Sequence, residues 1–557
     1  MAKNKLIGRV LATEKSPTTI DEFYFWTNSD TKINAFDIVK VERKDGTDTF
    51  GVIESISHIT DATSFLTNFI SSDFGDVDIS EPTFRVGMNY ARAKVSYNTK
   101  GDYTPVHNNS KVFLASQEEI TFALGLDKVD NPLVCGSLKM YEGTEDEVTL
   151  PVKLNAKFLL GSEGAHLNIS GISGLAAKTS YAMFLMKSIQ DTYANNPNED
   201  DSVAFVLFNV KGRDLMAIDR QNDELDDGTV EEYKKLKLSQ KPFRQVKYYI
   251  PYYDNKSTKQ STYLLRDDVS SYIESRKLKK FKYVYDDDKE SIEMMFANVE
   301  DPNQTMEAIV SKIIDERDTD FGNLKTWSEF LETVSENSQK GSNGSKGEIS
   351  VLSWRKFKRI VNKAIKNDDM FANRVVPGQS ECRLADELKH IKKNEVHVID
   401  IAKLPEDKQA FVFGDVVKTI YNLKLGEYDN EGVAPPSRIV IFIDELNKYA
   451  STDVPKSSPI LRQILDVTER GRSLGVILFG AEQFRSAIHK RVTGNCATHA
   501  YGRTNSIETS TGDYKSLPDT YRNMLTRLSQ GEYLIQNPVF RSLLKIRFPK
   551  PIYKQFK

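Results

Sequence analysis

The chain has 557 residues, 39% of them hydrophobic and 28% charged, with a formal net charge of −3. That length exceeds one compact core, so two or three domains are expected, and the near balance of charge excludes whole-molecule attraction to nucleic acid. Contact with DNA would need a local basic surface such as a channel lining. Cys135, Cys382 and Cys496 are too scattered for a disulfide framework or a zinc site. No run approaches the ~18 apolar residues of a membrane span, and Met1–Leu6 lacks a secretory core, so a cytoplasmic protein without membrane contact is expected.

Residues 1–160 carry short alternating segments at Lys5–Ala12, Glu22–Trp26, Asp37–Glu42, Thr49–Ser55, Ala93–Tyr97 and Val148–Leu154, broken by Asp, Asn, Gly and Pro. This texture predicts a small antiparallel barrel or sandwich with Phe23, Phe50, Val52 and Ile53 in its core. From His166 the pattern becomes α/β. Buried parallel strands are expected at His166–Ser170, Val203–Val210, Val396–Ile401, Arg438–Ile443, Gly475–Gly480 and Thr498–Tyr501, all in one sheet.

The first of these strands runs into Leu-Asn-Ile-Ser-Gly-Ile-Ser-Gly-Leu-Ala-Ala-Lys-Thr, residues 167–179. Strand, glycine turn, Lys-Thr and helix in that order form a phosphate-binding arrangement. Gly171 and Gly174 free backbone N–H groups for an anion, Lys178 adds a point charge, and Thr179 offers a hydroxyl to Mg²⁺. The usual loop has glycine directly before the lysine, whereas Ala177 stands here and the run is one residue longer. A glycine-containing strand-to-helix turn is the other reading of these residues.

Residues 215–395 are polar and charged, with helical periodicity at Met306–Ile314, Trp327–Val334 and Trp354–Ile365, and read as a helical insertion. Asn337–Glu348 within it has linker composition. Basic runs at Arg276–Lys282 and Arg355–Lys363, and Arg485, His489, Lys490 and Arg491 further on, are candidates for a channel lining or for solvated faces.

Arg438–Asn447 is an apolar strand ending in Asp444-Glu445, placed where open α/β sheets bind ligands. Asp444 can accept from a Mg²⁺-bound water and Glu445 can deprotonate the attacking water; an acidic turn in solvent is the alternative. Downstream, Ile460, Ile464 and Val467 share a helical face, with Arg470 and Arg472 near its end. Gln483 follows the strand Gly475–Gly480, and Arg503 follows Thr498–Tyr501. These suit a phosphate sensor and arginine fingers, or surface salt bridges. Gly531–Gln536 and Ser542–Phe548 predict a strand pair followed by a tail.

Together these segments resemble the HerA-type ATPases, in the HerA/FtsK group of P-loop ring translocases, over nearly the whole length. The resemblance rests on Gly171–Thr179, Val203–Val210 with Lys211-Gly212, Val398–Ile401, Asp444-Glu445, Glu469–Arg472, Gln483 and Tyr501–Arg503. It implies a β-barrel domain (1–160), then a RecA-like ATPase domain (161–557) with the insertion at about 215–395 and a segment bracing the next subunit at about 530–557. ATP and Mg²⁺ would be held by Gly171, Ser173, Gly174, Ala176, Ala177, Lys178, Thr179 and Ser180, with Thr179 and Asp444 serving the metal. Glu445 would be the base, Gln483 the sensor, and Arg470 and Arg503 the charges at the subunit junction. The implied assembly is a homohexamer with duplex DNA in its channel. An effector, either a nuclease or a sirtuin-like NAD hydrolase, would dock through residues 1–160, in bacterial antiphage defence. A ring that only scaffolds its effector is the second reading.

Overall fold

The computed structural model describes residues 5–28, 30–71, 74, 87–127, 129–172, 174, 177–194, 201–254, 259–339, 349–376, 378, 380–428 and 434–556. Ser173 and Ala176 of the expected phosphate loop, and the linker-like stretch from residue 340 onward, lie outside the described residues.

The N-terminal part is a closed antiparallel barrel of β1 (Leu6–Leu11), β2 (Glu22–Thr27), β3 (Ile38–Glu42), β4 (Asp48–Thr60), β5 (Gly87–Asn98) and β6 (Lys111–Leu114), ordered β1-β2-β5-β4-β3-β6. Inward residues alternate along the strands: Phe23, Phe25, Ile38 and Ile53 are fully buried, and Phe50 and Val52 join them. Register shifts at Leu6/Gly8 and twice between β4 and β5 mark the bulges that let so short a sheet curl shut.

Val148–Leu154, expected in this barrel, lies elsewhere. With β7 (Pro132–Met140), β8 (Val148–Asn155) forms the antiparallel edge of a much larger sheet. An alternating pattern fits either place, since both leave one strand face wet. Tyr141, directly after β7, bolts barrel to sheet. Its hydroxyl lies 2.8 Å from the carbonyls of both Ile38 and Ala115 and accepts from the Ala115 N–H at 2.9 Å, while its own N–H donates to Asp37 at 2.8 Å.

Among the described residues the large sheet has thirteen strands. After the edge pair come β9 (Leu167–Ser170), β10 (Val203–Asn209), β11 (Val246–Pro251), β12 (Leu278–Phe281), β13 (Glu381–Cys382), β14 (Val396–Asp400), β15 (Arg438–Asp444), β16 (Val476–Glu482), β17 (Thr498–Tyr501), β18 (Glu532–Gln536) and β19 (Leu544–Arg547). The order β13-β12-β11-β14-β10-β15-β16-β9-β17 is parallel throughout, and β18-β19-β7-β8 continue it antiparallel. All six expected parallel strands are there. The insertion, expected to be helical, also donates β11, β12 and β13. Lys247, Lys279 and Lys280 interrupt the apolar runs that mark the other strands.

Both faces of the parallel part are covered. Phe205, Leu207, Val440, Phe442 and Phe479 point to the core shared with the barrel and helix α1 (Lys178–Ala194). Val206, Phe208, Ile439, Ile441 and Leu478 point to the opposite core. That core holds the insertion helices α2 (Thr305–Ile314), α3 (Trp327–Asn337) and α4 (Val351–Ile365), with α5 (Glu406–Leu425) and α6 (Pro459–Leu474). No helix of the described residues is long and apolar enough to cross a membrane.

After β19 the tail lies on its own chain. Asn222 N–H donates to the Ile552 carbonyl and Lys554 N–H to that of Arg220, at 3.0 and 2.8 Å. Gln555 Nε2 reaches Ser180 Oγ at 3.3 Å.

Tyr141→Phe keeps the ring but removes the one hydroxyl proton shared by the Ile38 and Ala115 carbonyls, of which only Ile38 keeps the Ala115 N–H at 3.4 Å, at a cost of about 1–3 kcal/mol. Limited proteolysis should then release a fragment ending near residue 115 faster than in the wild type, with the sheet retained by circular dichroism.

Candidate functional site

The site lies at the carboxyl ends of neighbouring parallel strands. Registry fixes it: Ser170 pairs with Glu482, Ala481 with Asp444, Ile443 with Phe208, and Asn209 with Asp400. Polar side chains therefore appear in a row where the apolar strands end.

The phosphate-loop residues leave β9 between two neighbours. Gly171 N–H donates to the Glu482 carbonyl at 3.1 Å, and Ile172 N–H to the Arg503 carbonyl at 2.8 Å. Gly171 and Gly174 have φ of 152° and 82°, and among the described residues outside its own chain neighbours nothing lies within 4 Å of where a Gly174 Cβ would sit. Both glycines therefore hold the backbone conformation that such a turn needs, but the Gly171 N–H, expected to face an anion, is taken up by the sheet, because the chain is still paired with β16 there. Ala177 holds φ 51°, a left-handed conformation that glycine adopts freely and alanine does not.

Lys178 and Thr179 open α1. Lys178 is buried, and its Nζ donates to the Gly171 carbonyl at 2.9 Å. Burial pushes its pKa down and the Asp444 carboxylate partly opposes this. Thr179 Oγ1 donates to Asp444 Oδ2 at 2.9 Å, joining residues 265 positions apart. The paired hydroxyl and carboxylate are the oxygen ligands that Mg²⁺ favours, so the residues present fit that ion beside the loop.

Glu445 also has a left-handed backbone, φ 60°, and its N–H donates to Asp444 Oδ1 at 2.9 Å. Strain of this kind, on the order of 1–3 kcal/mol, collects at functional sites. Lys211 Nζ lies 2.6 Å from Glu445 Oε1 and 3.8 Å from Asp444 Oδ2, and Lys448 Nζ lies 3.0 Å from Glu445 Oε2. Burial works to raise the Glu445 pKa, but the two lysines outweigh it and hold it below the usual carboxylate range. The sequence assigns neither lysine a role at the site, although Lys211 is among the residues that carry the resemblance. The signal was present in Lys211, the first charge after an apolar strand.

The expected residues divide. Gly171, Gly174, Ala177, Lys178, Thr179, Asp444 and Glu445 come together. Ser180 follows on the first turn of α1 and meets the tail. Gln483 is half-buried just past β16, and Arg503 borders the loop through its carbonyl. Arg470 is exposed on α6, and no contact among the described residues ties its side chain to the loop.

Several channel candidates are spent elsewhere. Lys280 is buried over the ring of Tyr253 at 3.8 Å, and Lys282 over Tyr252 at 3.7 Å with Glu381 at 2.6 Å. Arg491 and Lys490 meet Glu469 and Asp513 at 2.6 and 3.7 Å but stay 60% and 74% exposed, so these pairs do not remove them from the surface. Arg355 and Lys358 bond Ser338 and Ser335. Arg485 is buried, bridging Asn168 and His499. Burial, then the Arg485 charge, lowers His499 to about 3, so its neutral ring accepts.

Beside Arg485, Glu482 is wholly buried, with no hydrogen bond of good geometry to its carboxylate oxygens among the described residues. Burial raises it to about 8.

No family model and no curated protein matches the chain. Solved structures similar to it include the bacterial conjugative coupling protein TrwBΔN70, with 11% identity, 73% of this chain and 89% of that one covered, and TM-score 0.38. The plasmid coupling protein TrwB with a non-hydrolysable ATP analogue gives 10%, 70%, 87% and 0.39. The genome-packaging NTPase B204 of Sulfolobus turreted icosahedral virus 2 with ATP-γ-S gives 14%, 29%, 71% and 0.22. Likeness this slight carries no argument about the present chain, whose site stands on its own geometry.

Two consequences can be measured. Ala177→Gly removes the left-handed penalty of about 1–2 kcal/mol but loosens the unfolded chain, so a net gain of about 0.5–1 kcal/mol is expected as a higher thermal midpoint. A glutamate raised from 4.5 to about 8 stabilises the fold fully below pH 4.5, and that contribution fades as pH climbs to about 8. Thermal midpoints of Glu482→Gln should therefore fall less between pH 5 and 8 than those of the wild type.

Proposed function

We propose that the chain is a Mg²⁺-dependent ATPase of the HerA type, working as a homohexameric, DNA-associated motor. The observation that carries this reading is the 2.9 Å bond from Thr179 to Asp444, which sets the end of the phosphate loop against the acid pair. A glycine-containing strand-to-helix turn alone, or an acidic turn in solvent, would have no reason to meet this way.

The roles are those the resemblance implies. The Lys178 ammonium and the N–H groups of the loop beyond Ile172 would bind and orient the β- and γ-phosphates, since those of Gly171 and Ile172 are taken by the Glu482 and Arg503 carbonyls, and Ser180 follows Thr179 on the first turn of α1. Thr179 and Asp444 hold the magnesium ion, which when bound neutralises charge developing on the phosphates. Glu445 accepts the proton of the attacking water. Gln483, at the end of β16, senses the terminal phosphate. Arg470, exposed on α6, suits contribution to a neighbouring subunit's site, with Arg503 as the cation nearer its own loop.

By the same resemblance duplex DNA occupies the channel, and residues 1–160 receive an effector, a nuclease or a NAD-hydrolysing subunit, in antiphage defence. The buried Lys280, Lys282 and Arg485 play no part in a channel lining. A second reading, a nucleotide-stabilised scaffold that switches on its effector with little translocation, draws support from the strained Ala177 and from the cations already on Glu445.

Mg²⁺-dependent ATP hydrolysis by the assembled protein, with its co-purified partner, tests the enzyme. Glu445→Gln should lower turnover by about 10²–10⁴ while retaining nucleotide, and Lys178→Ala should lose nucleotide. A wild type as inactive as both variants would end the ATPase reading. Full effector activation by Glu445→Gln would favour the scaffold over the motor, and a light-scattering mass near 63 kDa with ATP would exclude the ring.

A further inference from the structure

We propose that Lys211 is a resident counter-ion of the acid pair that competes with the divalent cation for Asp444 and keeps Glu445 engaged until that cation binds. The inference rests on the ATPase reading above and adds to it a control on the same site.

Three observations converge. Lys211 Nζ approaches the same Asp444 Oδ2 that accepts from Thr179, so a divalent ion using that oxygen must share it with an ammonium or displace it. The same Nζ, at 2.6 Å, covers Glu445 Oε1, while Lys448 covers Oε2. With a cation on each oxygen, about half of the carboxylate's acceptor positions are taken before any water approaches, and its basicity is lowered. One ammonium serves both acids, at 2.6 Å from Glu445 and 3.8 Å from Asp444, so in this proposal the repulsion from an arriving divalent ion at Asp444 acts on the same group that holds the base.

The turn carrying Lys211 is built to hold its backbone still. Asn209, buried at the end of β10, donates to the Gly212 carbonyl at 3.0 Å and to Asp400 at 2.8 Å, and accepts from the Leu215 N–H at 3.2 Å. Asp400 is anchored in turn by the Thr262 hydroxyl at 2.6 Å. The Lys211 side chain keeps 39% of its surface exposed. A long flexible stem on a fixed turn is what a cation needs to withdraw without moving the loop.

Mn²⁺ binding to the nucleotide-free protein, followed by electron paramagnetic resonance, tests this without hydrolysis. Lys211→Met should bind Mn²⁺ more tightly, by roughly tenfold, the order expected on removing one like charge at this separation. Lys211→Arg, which keeps the charge, should bind as the wild type does and guards against a folding defect. The Mg²⁺ concentration for half-maximal hydrolysis should fall in Lys211→Met by a similar factor. Unchanged or weaker Mn²⁺ binding in Lys211→Met overturns the proposal while leaving the ATPase intact. Weaker nucleotide binding with an unchanged metal requirement would instead make Lys211 a phosphate ligand, and also overturns it. Failure of the wild type to bind a fluorescent ATP analogue removes the ATPase reading and this inference together.

Discussion

Parallel pairing between β9, β16, β15 and β10 is the constraint on which the rest depends. These strands are covered on both faces, so their paired length is almost wholly apolar, with Asn168 of β9 the exception, its side-chain oxygen accepting from Arg485, and polar side chains gather where pairing stops. Because the registers are fixed, the stopping points align: Ser170, Glu482, Asp444 and Asn209 lie side by side at one rim. The loop after β9 is stitched to its neighbours by the Gly171 and Ile172 N–H groups, which leaves Thr179 one direction to face, toward Asp444. The hydrogen-bond ladder of an apolar sheet thus does the positioning that a catalytic constellation requires.

Charge is balanced within that rim. Asp444 and Glu445 face Lys178, Lys211 and Lys448; Glu482 lies beside Arg485. Asp214, beyond Lys211, is raised by burial and then by the Asp444 charge, so the acids repel one another and the cations hold them in place. A partly buried carboxylate pair without these lysines would shed charge by binding protons. The site is therefore assembled before any phosphate arrives, at the expense of cations that must be rearranged when one does.

Much of this was legible in the sequence. Predominantly apolar runs located β9, β10, β14, β15, β16 and β17, and the Lys-Thr and Asp-Glu pairs marked two of the strand ends that meet. What was not legible has physical causes. β11 and β12 carry lysines that bury their stems and reach partners, as Lys280 in β12 and Lys282 just after it do with tyrosine rings, so their burial leaves no apolar signature. β8 alternates like a barrel strand because a sheet-edge hairpin and a barrel impose the same period. Lys211 stood out as part of the resemblance but without a role; its ion pairs depend on β10 lying beside β15, and that adjacency joins segments more than two hundred residues apart.

The rim also belongs to both cores. Tyr181, two residues after Thr179, is fully buried and stacks on Tyr533 at 4.6 Å, in the core shared with the barrel. Leu446, directly after Glu445, is buried in the opposite core with the insertion helices, and Tyr449 of the same turn stacks on Phe413 at 4.4 Å. The Thr179–Asp444 bond is thus a short bridge between two packed bodies on opposite faces of one sheet. Close-packed cores do not deform continuously, so a change in what Asp444 binds has two ways to spread: through α1 toward the barrel, and through residues 446–449 toward α5 and the insertion. A barrel and a helical insertion far apart in the chain are in this way joined at the few residues that face the ligand.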